Sequence, residues 1–156
     1  MFVPRQVVAT DRAPASPVYS QAVVAGNLVV VSGTVGRNMA TGTWPETIEA
    51  QAEQALANLS AVLEEAGCGL DDVVKVTIFI TALEHGQQIA EIYRRAFPAP
   101  PPARSAIAVL GPADSRSAYL HRGNSAQAGL NTDQMVTEPR RPITPFSADL
   151  MRSGPA

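Results

Sequence analysis

Cysteine and histidine are scarce in this 156-residue sequence, which contains one cysteine and two histidines. The single cysteine, Cys68, excludes an intramolecular disulfide bond and any metal site built from several cysteines. His85 and His121 stand alone, without the spacing of metal ligands, so we expect no metal ion. Because Cys68 lies between two glycines, we interpret it as a packed thiol at a helix end; a nucleophilic role would need a neighbouring base.

Charge is also scarce. Charged residues make up only 17% of the chain, against roughly 25% in ordinary soluble domains, while hydrophobic residues make up 46%. The formal net charge is -2 and there is no basic stripe, so nucleic acid is not an expected partner. A surface with so little charge is expected to be partly covered by other subunits.

The sequence lacks a long hydrophobic run. Its longest apolar stretch, residues 23–31, is interrupted by Gly26 and Asn27, and no basic start followed by an apolar run occurs at the N-terminus. These absences predict neither a signal peptide nor a membrane span, and hence a cytoplasmic protein without a membrane partner. The length predicts one domain with a substantial core.

What is present is a pattern typical of an α+β domain. β-rich runs, helices and strands are expected in the order β-β-β-α-β-α-β, at residues 6–10, 18–25, 28–32, 48–66, 73–81, 85–97 and from 104 onward. The Gly26-Asn27 dipeptide predicts a hairpin. Thr47 is expected to cap the first helix and Gly67 to end it. The predicted architecture is two helices over one mixed sheet.

A proline-rich stretch, residues 98–102, must end the second helix and extend the chain into a strand that begins near Arg104. On that strand Arg104 shares a face with Ala106 and Ala108. A planar bidentate donor beside small side chains suits recognition of a small carboxylate or phosphate. The alternative is an arginine that is ion-paired at a strand end.

Two glycines, Gly33 and Gly36, follow the second strand of the hairpin. Without side chains, they would let a ligand approach the backbone. The alternative is that they only form a turn.

Six segments of the sequence carry a resemblance, in order along the chain: SPVYSQAV, VVVSG, IEAQAEQALANLSAVLEEAG, LDDVVKVTIFIT, IYRRAFP and PPARSAIAV. Together they resemble the RidA/YjgF family of reactive-intermediate deaminases and cover most of residues 14–110. The resemblance implies a chorismate-mutase-like fold, in which two helices cover one face of a mixed β-sheet. It also implies a homotrimer, with sites in clefts between subunits, and no cofactor.

The same resemblance implies an activity and a set of site residues. Family members hydrolyse reactive enamines and 2-imino acids, of the 2-iminobutanoate and 2-iminopropanoate type, to 2-keto acids and ammonia. Arg104 would bind the substrate carboxylate, Tyr19 would form a cleft wall, and Ser32 with Gly33 would contribute hydroxyl and backbone groups near the imine. Ala106 would line the substrate site. For Tyr19 and Ser32 a packing role is the alternative.

The sequence departs from the family in two places. Ala106 stands where well-studied deaminases carry a cysteine, and no acidic residue occurs between Asp114 and Asp133 to match their last-strand glutamate. General acid–base assistance is typically worth about 10²- to 10⁴-fold, so its loss affects turnover more than binding. The chain would then belong to a subgroup without this glutamate. An alternative function is a noncatalytic trimer that binds small carboxylate metabolites, as a sensor or assembly component.

The C-terminal segment differs in character from the rest. Residues 1–120 are predicted to form the domain, and residues 121–156, rich in proline and without apolar periodicity, a mostly disordered tail. When codons for residues 119–126 are shifted by one base, they can encode Ile-Ser-Thr-Glu-Ala-Ile-Ala, which resembles the closing strand expected here. We therefore hypothesise a one-base insertion near Ala118. The restored strand would still carry serine at the glutamate position.

Overall fold

The computed structural model of the protein describes residues 4–109, 128–130 and 135–137. Its elements, in chain order, are β1 (Arg5–Val8), β2 (Ala22–Ala25), β3 (Leu28–Val31), β4 (Thr34–Val35), α1 (Ile48–Glu65), β5 (Lys75–Ile80), α2 (Gly86–Ala96), β6 (Ala103–Ala108), β7 (Ala128–Leu130) and β8 (Met135–Thr137). Short 3₁₀ turns precede β5 and α2. The predicted α+β class with two helices is confirmed. No helix among the described residues is both long and apolar enough to cross a bilayer.

The first sheet is antiparallel throughout, in the order β1-β2-β3-β8. The predicted hairpin is confirmed, because β2 and β3 pair across a turn in which Gly26 adopts a φ of 65°. Side chains alternate between two environments along β3: Val29 and Val31 are buried, whereas Val30 is 40% exposed. Val23 on β2 lies beside Val30, and Val7 on β1 lies beside Val23, so the three side chains share the outer face of the sheet. Val7 is 57% exposed.

The second sheet is mixed, in the order β4-β7-β5-β6. β5 and β6 are parallel, joined through α2, and the other pairs are antiparallel. The prediction of one sheet therefore needs correction, since the hydrogen bonding divides into two sheets. The chain passes from the first sheet to the second at residues 32–33: the Ser32 N–H bonds to the Gln21 carbonyl at 2.9 Å in the β2–β3 register, and β4 begins at Thr34.

The helices form where the sequence predicts them. Thr47 caps α1, accepting a hydrogen bond from the Ala50 N–H at 3.2 Å, and Gly67 follows the helix with a φ of 75°. α2 begins at Gly86, because residues 83–85 form a 3₁₀ turn. Both helices and the inner sides of the strands share one core, to which the helices contribute Ile48, Ala52, Ala55, Leu56, Leu59, Val62, Leu63, Ile89, Ile92 and Tyr93.

Two strands lie within the segment expected to be a tail. β7 lies between β4 and β5, and β8 pairs with β3. At these six residues the structure differs from the expectation of disorder, because the backbone there completes hydrogen bonding for strands that would otherwise be edges. Residues 119–126, on which the frameshift hypothesis is based, lie outside the described residues. The domain boundary at residue 120 and the frameshift stay predictions.

Candidate functional site

A small cleft opens where β3 passes into β4. Three residues implicated by the resemblance meet there: Tyr19, Ser32 and Gly33. Tyr19 is 54% exposed, so its ring is a wall of the cleft and not a packed core residue. The remaining lining residues are neutral, and they are Ala13, Pro14, Gln21, Thr34, Val35 and Val62.

Gln21, which the sequence analysis did not single out, holds the cleft together. Its side chain is buried, and Nε2 donates to the carbonyls of Thr10 (3.0 Å), Ala13 (2.8 Å) and Pro14 (3.1 Å). Its Oε1 accepts from the Thr10 N–H at 2.7 Å. A single amide therefore fixes the segment before β2 against the sheet. No sequence pattern marks this role, because it depends on carbonyls of an irregular segment.

Ser32 is oriented by its neighbours. Its Oγ donates to the Ser20 carbonyl at 2.7 Å, and Thr34 Oγ1 donates to the Ser32 carbonyl at 3.2 Å. Since the hydroxyl proton is directed to a backbone oxygen, Ser32 is not arranged as an activated nucleophile, which would need a base at its proton. A hydroxyl oxygen that donates its proton can also act as a hydrogen-bond acceptor.

Gly36 has a structural role of its own. A Cβ at this position would collide with the Gln51 carbonyl of α1, so glycine permits a close approach between helix and strand. Asn58, also on α1 and 1% exposed, donates to the carbonyls of Val35 (2.8 Å) and Arg37 (2.9 Å). The two predicted interpretations of Gly36, a ligand approach to the backbone and a turn, did not include this packing against α1. Asn58 was missed because its partners are brought to it only by the fold.

Arg104 lies on β6, at the edge of the second sheet. Its register partner on β5, Val76, is buried, so Arg104 is on the helix side of the sheet, and Ala106 follows on the same face. The guanidinium carbon lies 5.2 Å from the ring centroid of Tyr93 in α2. The salt bridges among the described residues are Arg12–Glu64 and Arg95–Glu53. Neither involves Arg104, so no carboxylate of the described residues lies within 4.0 Å of its guanidinium.

Burial raises the pKa of the Tyr93 phenol above its ordinary value, and the charge of Arg104 opposes that rise. The phenol beneath the guanidinium is therefore neutral at physiological pH. Arg104 is attracted to an aromatic face, and among the described residues no carboxylate counter-ion neutralises its charge.

The cleft and Arg104 occupy the same end of the second sheet but opposite edges. One row across that sheet contains a residue from each strand: Val35, Gly129, Phe79 and Ile107. Ser32 and Gly33 immediately precede β4, Arg104 lies on β6, and β4 and β6 run in the same direction. Three strand spacings of about 4.8 Å separate them laterally by about 14 Å. A single chain therefore does not bring Arg104 and Ala106 to Tyr19, Ser32 and Gly33.

Another surface depression is lined by residues at the start of α2: Glu84, His85, Gln87, Gln88 and Glu91. His85 Nδ1 lies 3.4 Å from Gln88 Oε1. In the part of the chain that the structure describes, no group of three or more histidine, cysteine, aspartate or glutamate side chains is placed to hold a metal ion.

Comparisons with known proteins agree with this architecture. A family model described as Endoribonuclease L-PSP matches residues 10–112. Reactive Intermediate Deaminase A, chloroplastic, from Arabidopsis thaliana is 43% identical over 109 residues, which cover 69% of this chain and 58% of that protein. The 2-iminobutanoate/2-iminopropanoate deaminase of Rattus norvegicus is 36% identical over 132 residues, which cover 81% of this chain and 96% of that protein.

Among solved structures, RidA from an Antarctic Psychrobacter species matches with a TM-score of 0.72 and 32% identity, over 85% of this chain and 98% of that chain. The chain thus spans little more than half of the Arabidopsis relative and nearly all of the rat and bacterial relatives. The resemblance deduced from the six sequence segments is confirmed. The chain belongs to the RidA/YjgF family, whose family model is described as Endoribonuclease L-PSP.

Proposed function

We propose that this protein is an imine deaminase-like enzyme that hydrolyses reactive 2-imino acids, and the enamines that tautomerise to them, to 2-keto acids and ammonia. The names of the Arabidopsis and rat relatives support this activity. Water adds to the imine carbon, and the resulting carbinolamine loses its amine when the C–N bond breaks. The products are one 2-keto acid and one ammonia, so the reaction needs no redox partner or cofactor.

The observation that carries the proposal is the state of Arg104. Its guanidinium is exposed, stands over an aromatic ring and has no carboxylate partner among the described residues. Two N–H groups in the plane of such a guanidinium can donate parallel hydrogen bonds to the two oxygens of a carboxylate. A 2-imino acid carries its carboxylate beside the reacting carbon, so the clamp would fix the orientation of the imine.

In this proposal the site is composite, with Arg104 and Ala106 supplied by one subunit and Tyr19, Ser32 and Gly33 by its neighbour. Two observations support a homotrimer of this kind. Within one chain, β6, which carries Arg104, and β4, which follows Ser32 and Gly33, are three strand spacings apart, about 14 Å at about 4.8 Å each. The outer face of the first sheet also exposes apolar side chains, including Val7 at 57% and Val30 at 40%, which a neighbouring subunit would cover.

The second half of the site would act on the imine nitrogen and the attacking water. Ser32 Oγ can accept a hydrogen bond while donating to Ser20, and Gly33 leaves space beside the backbone. Fixed polar groups of this kind stabilise charge as it shifts from the imine to the leaving amine. Tyr19 would close the cleft against one side of the substrate.

A noncatalytic carboxylate-binding trimer is the second candidate. It is favoured by the composition of the cleft, because the lining residues that belong to the described part of the chain include no aspartate, glutamate or histidine. Without a general acid or base, such a site would bind a 2-keto acid and accelerate hydrolysis little. Membership in a subgroup that lacks the last-strand glutamate remains part of this proposal.

The proposed partners are small molecules, with neither nucleic acid nor membrane among them, and the proposed location is the cytoplasm. The net charge of -2 supports the exclusion of nucleic acid. Cleavage of RNA by the purified protein, retained in Arg104→Ala, would contradict it. Cell fractionation would test the location.

The decisive experiment measures keto-acid and ammonia release from freshly generated 2-iminopropanoate. We expect acceleration by the wild-type protein and loss of at least about tenfold in kcat/KM with Arg104→Ala, because the charged hydrogen bonds to the carboxylate are removed. Arg95→Ala is the matched control, since Arg95 is an exposed arginine paired with Glu53. If wild type gives no acceleration but binds pyruvate through Arg104, the sensor function replaces the enzyme.

A further inference from the structure

The position of Arg104 depends on a residue to which the resemblance assigns no role. The aromatic ring of Tyr93 lies 5.2 Å from the guanidinium carbon, within the range of cation–π attraction. Strand β6 is exposed along its length, whereas Tyr93 is 7% exposed. The exposed Arg104 side chain therefore lies against the ring of a buried core residue, Tyr93.

The ring is held from other directions as well. The Phe97 ring lies 4.7 Å from it, centroid to centroid, at an interplanar angle of 43°. The phenolic oxygen lies 3.4 Å from the Pro102 carbonyl, immediately before β6. Since α2 and the start of β6 both contact the ring, its position does not depend on a bound ligand.

Stacking and carboxylate binding use different parts of the guanidinium. A guanidinium above an aromatic ring can present its flat face to the ring, while its N–H donors point outward in the guanidinium plane. An arginine side chain that is already held against a ring loses less conformational entropy when a carboxylate binds. The carboxylate therefore binds more tightly than it would to a freely rotating arginine. A tyrosine suits this task better than an acid, which would occupy the same donors.

We propose that Tyr93 is a positioning residue that holds the Arg104 guanidinium ready to receive a carboxylate; this inference rests on the proposed function of Arg104. It predicts that replacing the ring weakens substrate binding without changing the chemical step. Tyr93→Met, which fills much of the volume without a ring, is expected to raise KM about tenfold and leave kcat within about twofold. Tyr93→Phe keeps the ring and is expected to restore KM to within about twofold of wild type.

The test combines kinetics on 2-iminopropanoate, pyruvate binding and NMR of the ligand-free protein. The Arg104 side-chain proton resonances are expected to be shifted upfield by the Tyr93 ring in wild type and Tyr93→Phe, and to lose that shift in Tyr93→Met. Arg95 provides the reference resonances. Wild-type protein that shows no upfield shift would overturn the proposal, whether or not any variant folds.

The outcomes also separate this inference from the proposed function. If no form of the protein accelerates hydrolysis, the deaminase function fails, and the positioning role is decided by the NMR shift and by the Kd for pyruvate across the same variants. If Arg104→Ala abolishes activity but a folded Tyr93→Met has an unchanged KM and unchanged Arg104 resonances, the positioning role is wrong while the deaminase stands.

Discussion

Asn58 of α1 donates through Nδ2 to the Val35 carbonyl at 2.8 Å and thereby ties the first helix to the end of β4. The same nitrogen donates a second hydrogen bond, to the Arg37 carbonyl at 2.9 Å, so this buried amide binds two backbone carbonyls. Val35, which lines the cleft, and Arg37, which follows it, are therefore held by a side chain that lies outside the cleft.

Asn58→Ala should lower the free energy of unfolding by about 2–4 kcal/mol, because two carbonyls lose their donor in a buried setting. Urea unfolding followed by circular dichroism would measure the loss. Gln54→Ala is the control, since Gln54 Nε2 donates to Asn58 Oδ1 at 2.9 Å, and its removal leaves the Val35 and Arg37 carbonyls paired with Asn58. Equal losses in the two variants would contradict this account.

Gly36→Ala should destabilise the protein by about 3 kcal/mol, since the added Cβ would collide with the Gln51 carbonyl and α1 would have to shift. Gly86→Ala is a suitable comparison, because a Cβ there meets no atom within 4 Å. Thermal melting of both variants would decide the point. A Gly36→Ala protein that melts with the wild type would show that the helix can move freely away from the strand.

Subunit mixing tests the composite site. Arg104→Ala damages one half and Gly33→Leu blocks the other, so each variant alone should be inactive. After joint unfolding and refolding at equal amounts, random assembly should restore about a quarter of the wild-type sites, because each site draws one half from each of two neighbouring subunits in a cyclic oligomer. If both variants assemble normally but their mixture recovers no activity, the site is not shared between subunits.

Alkaline pH should reduce stability through Tyr93. Burial raises the pKa of this phenol above the value of 10.0 that it has in an unfolded chain. Above about pH 10 the unfolded chain therefore releases this proton before the native protein does, and the free energy of unfolding falls as pH rises through the folded pKa. Below that range the contribution is fully present. Tyr93→Phe should show a shallower decline in urea titrations from about pH 9 to 11; an unchanged slope would count against burial as the cause.

Removing residues 121–156 should lower the melting temperature, since β7 lies between β4 and β5 and β8 pairs with β3. A second chain, in which Ile-Ser-Thr-Glu-Ala-Ile-Ala replaces residues 119–126 and the remainder is deleted, tests the frameshift hypothesis. Higher stability of that chain than of the natural one would support the hypothesis. A truncated protein with unchanged melting would show that β7 and β8 contribute nothing.

Local patterns in the sequence were sufficient for much of the fold. The hairpin at Gly26, the cap at Thr47 and the end of α1 at Gly67 each depend on residues close together in the chain, and the structure confirms all three. Helical periodicity likewise predicted both helices. The division into two sheets was not predictable, because it depends on the strands with which β3 and β4 pair, β8 and β7, and these are distant in the sequence.

The candidate site was predictable in part. Tyr19, Ser32 and Gly33 were identified by resemblance, and they line one cleft. The roles of Gln21 and Asn58 could not be predicted from the sequence, because amide side chains are common in helices and beside strands. Their backbone partners are known only from the tertiary structure. Tyr93 lies within the segment predicted to form the second helix, but its relation to Arg104 required the parallel pairing of β5 and β6.

The sequence by itself determined the element types, the helix ends and the family, because these depend on periodicity, on capping residues and on order along the chain. Only the tertiary structure decided that Arg104 rests on Tyr93 and that its own chain separates it from Ser32. The physical reason is that such relationships arise from strand register and from burial, which bring together residues with no local pattern in common.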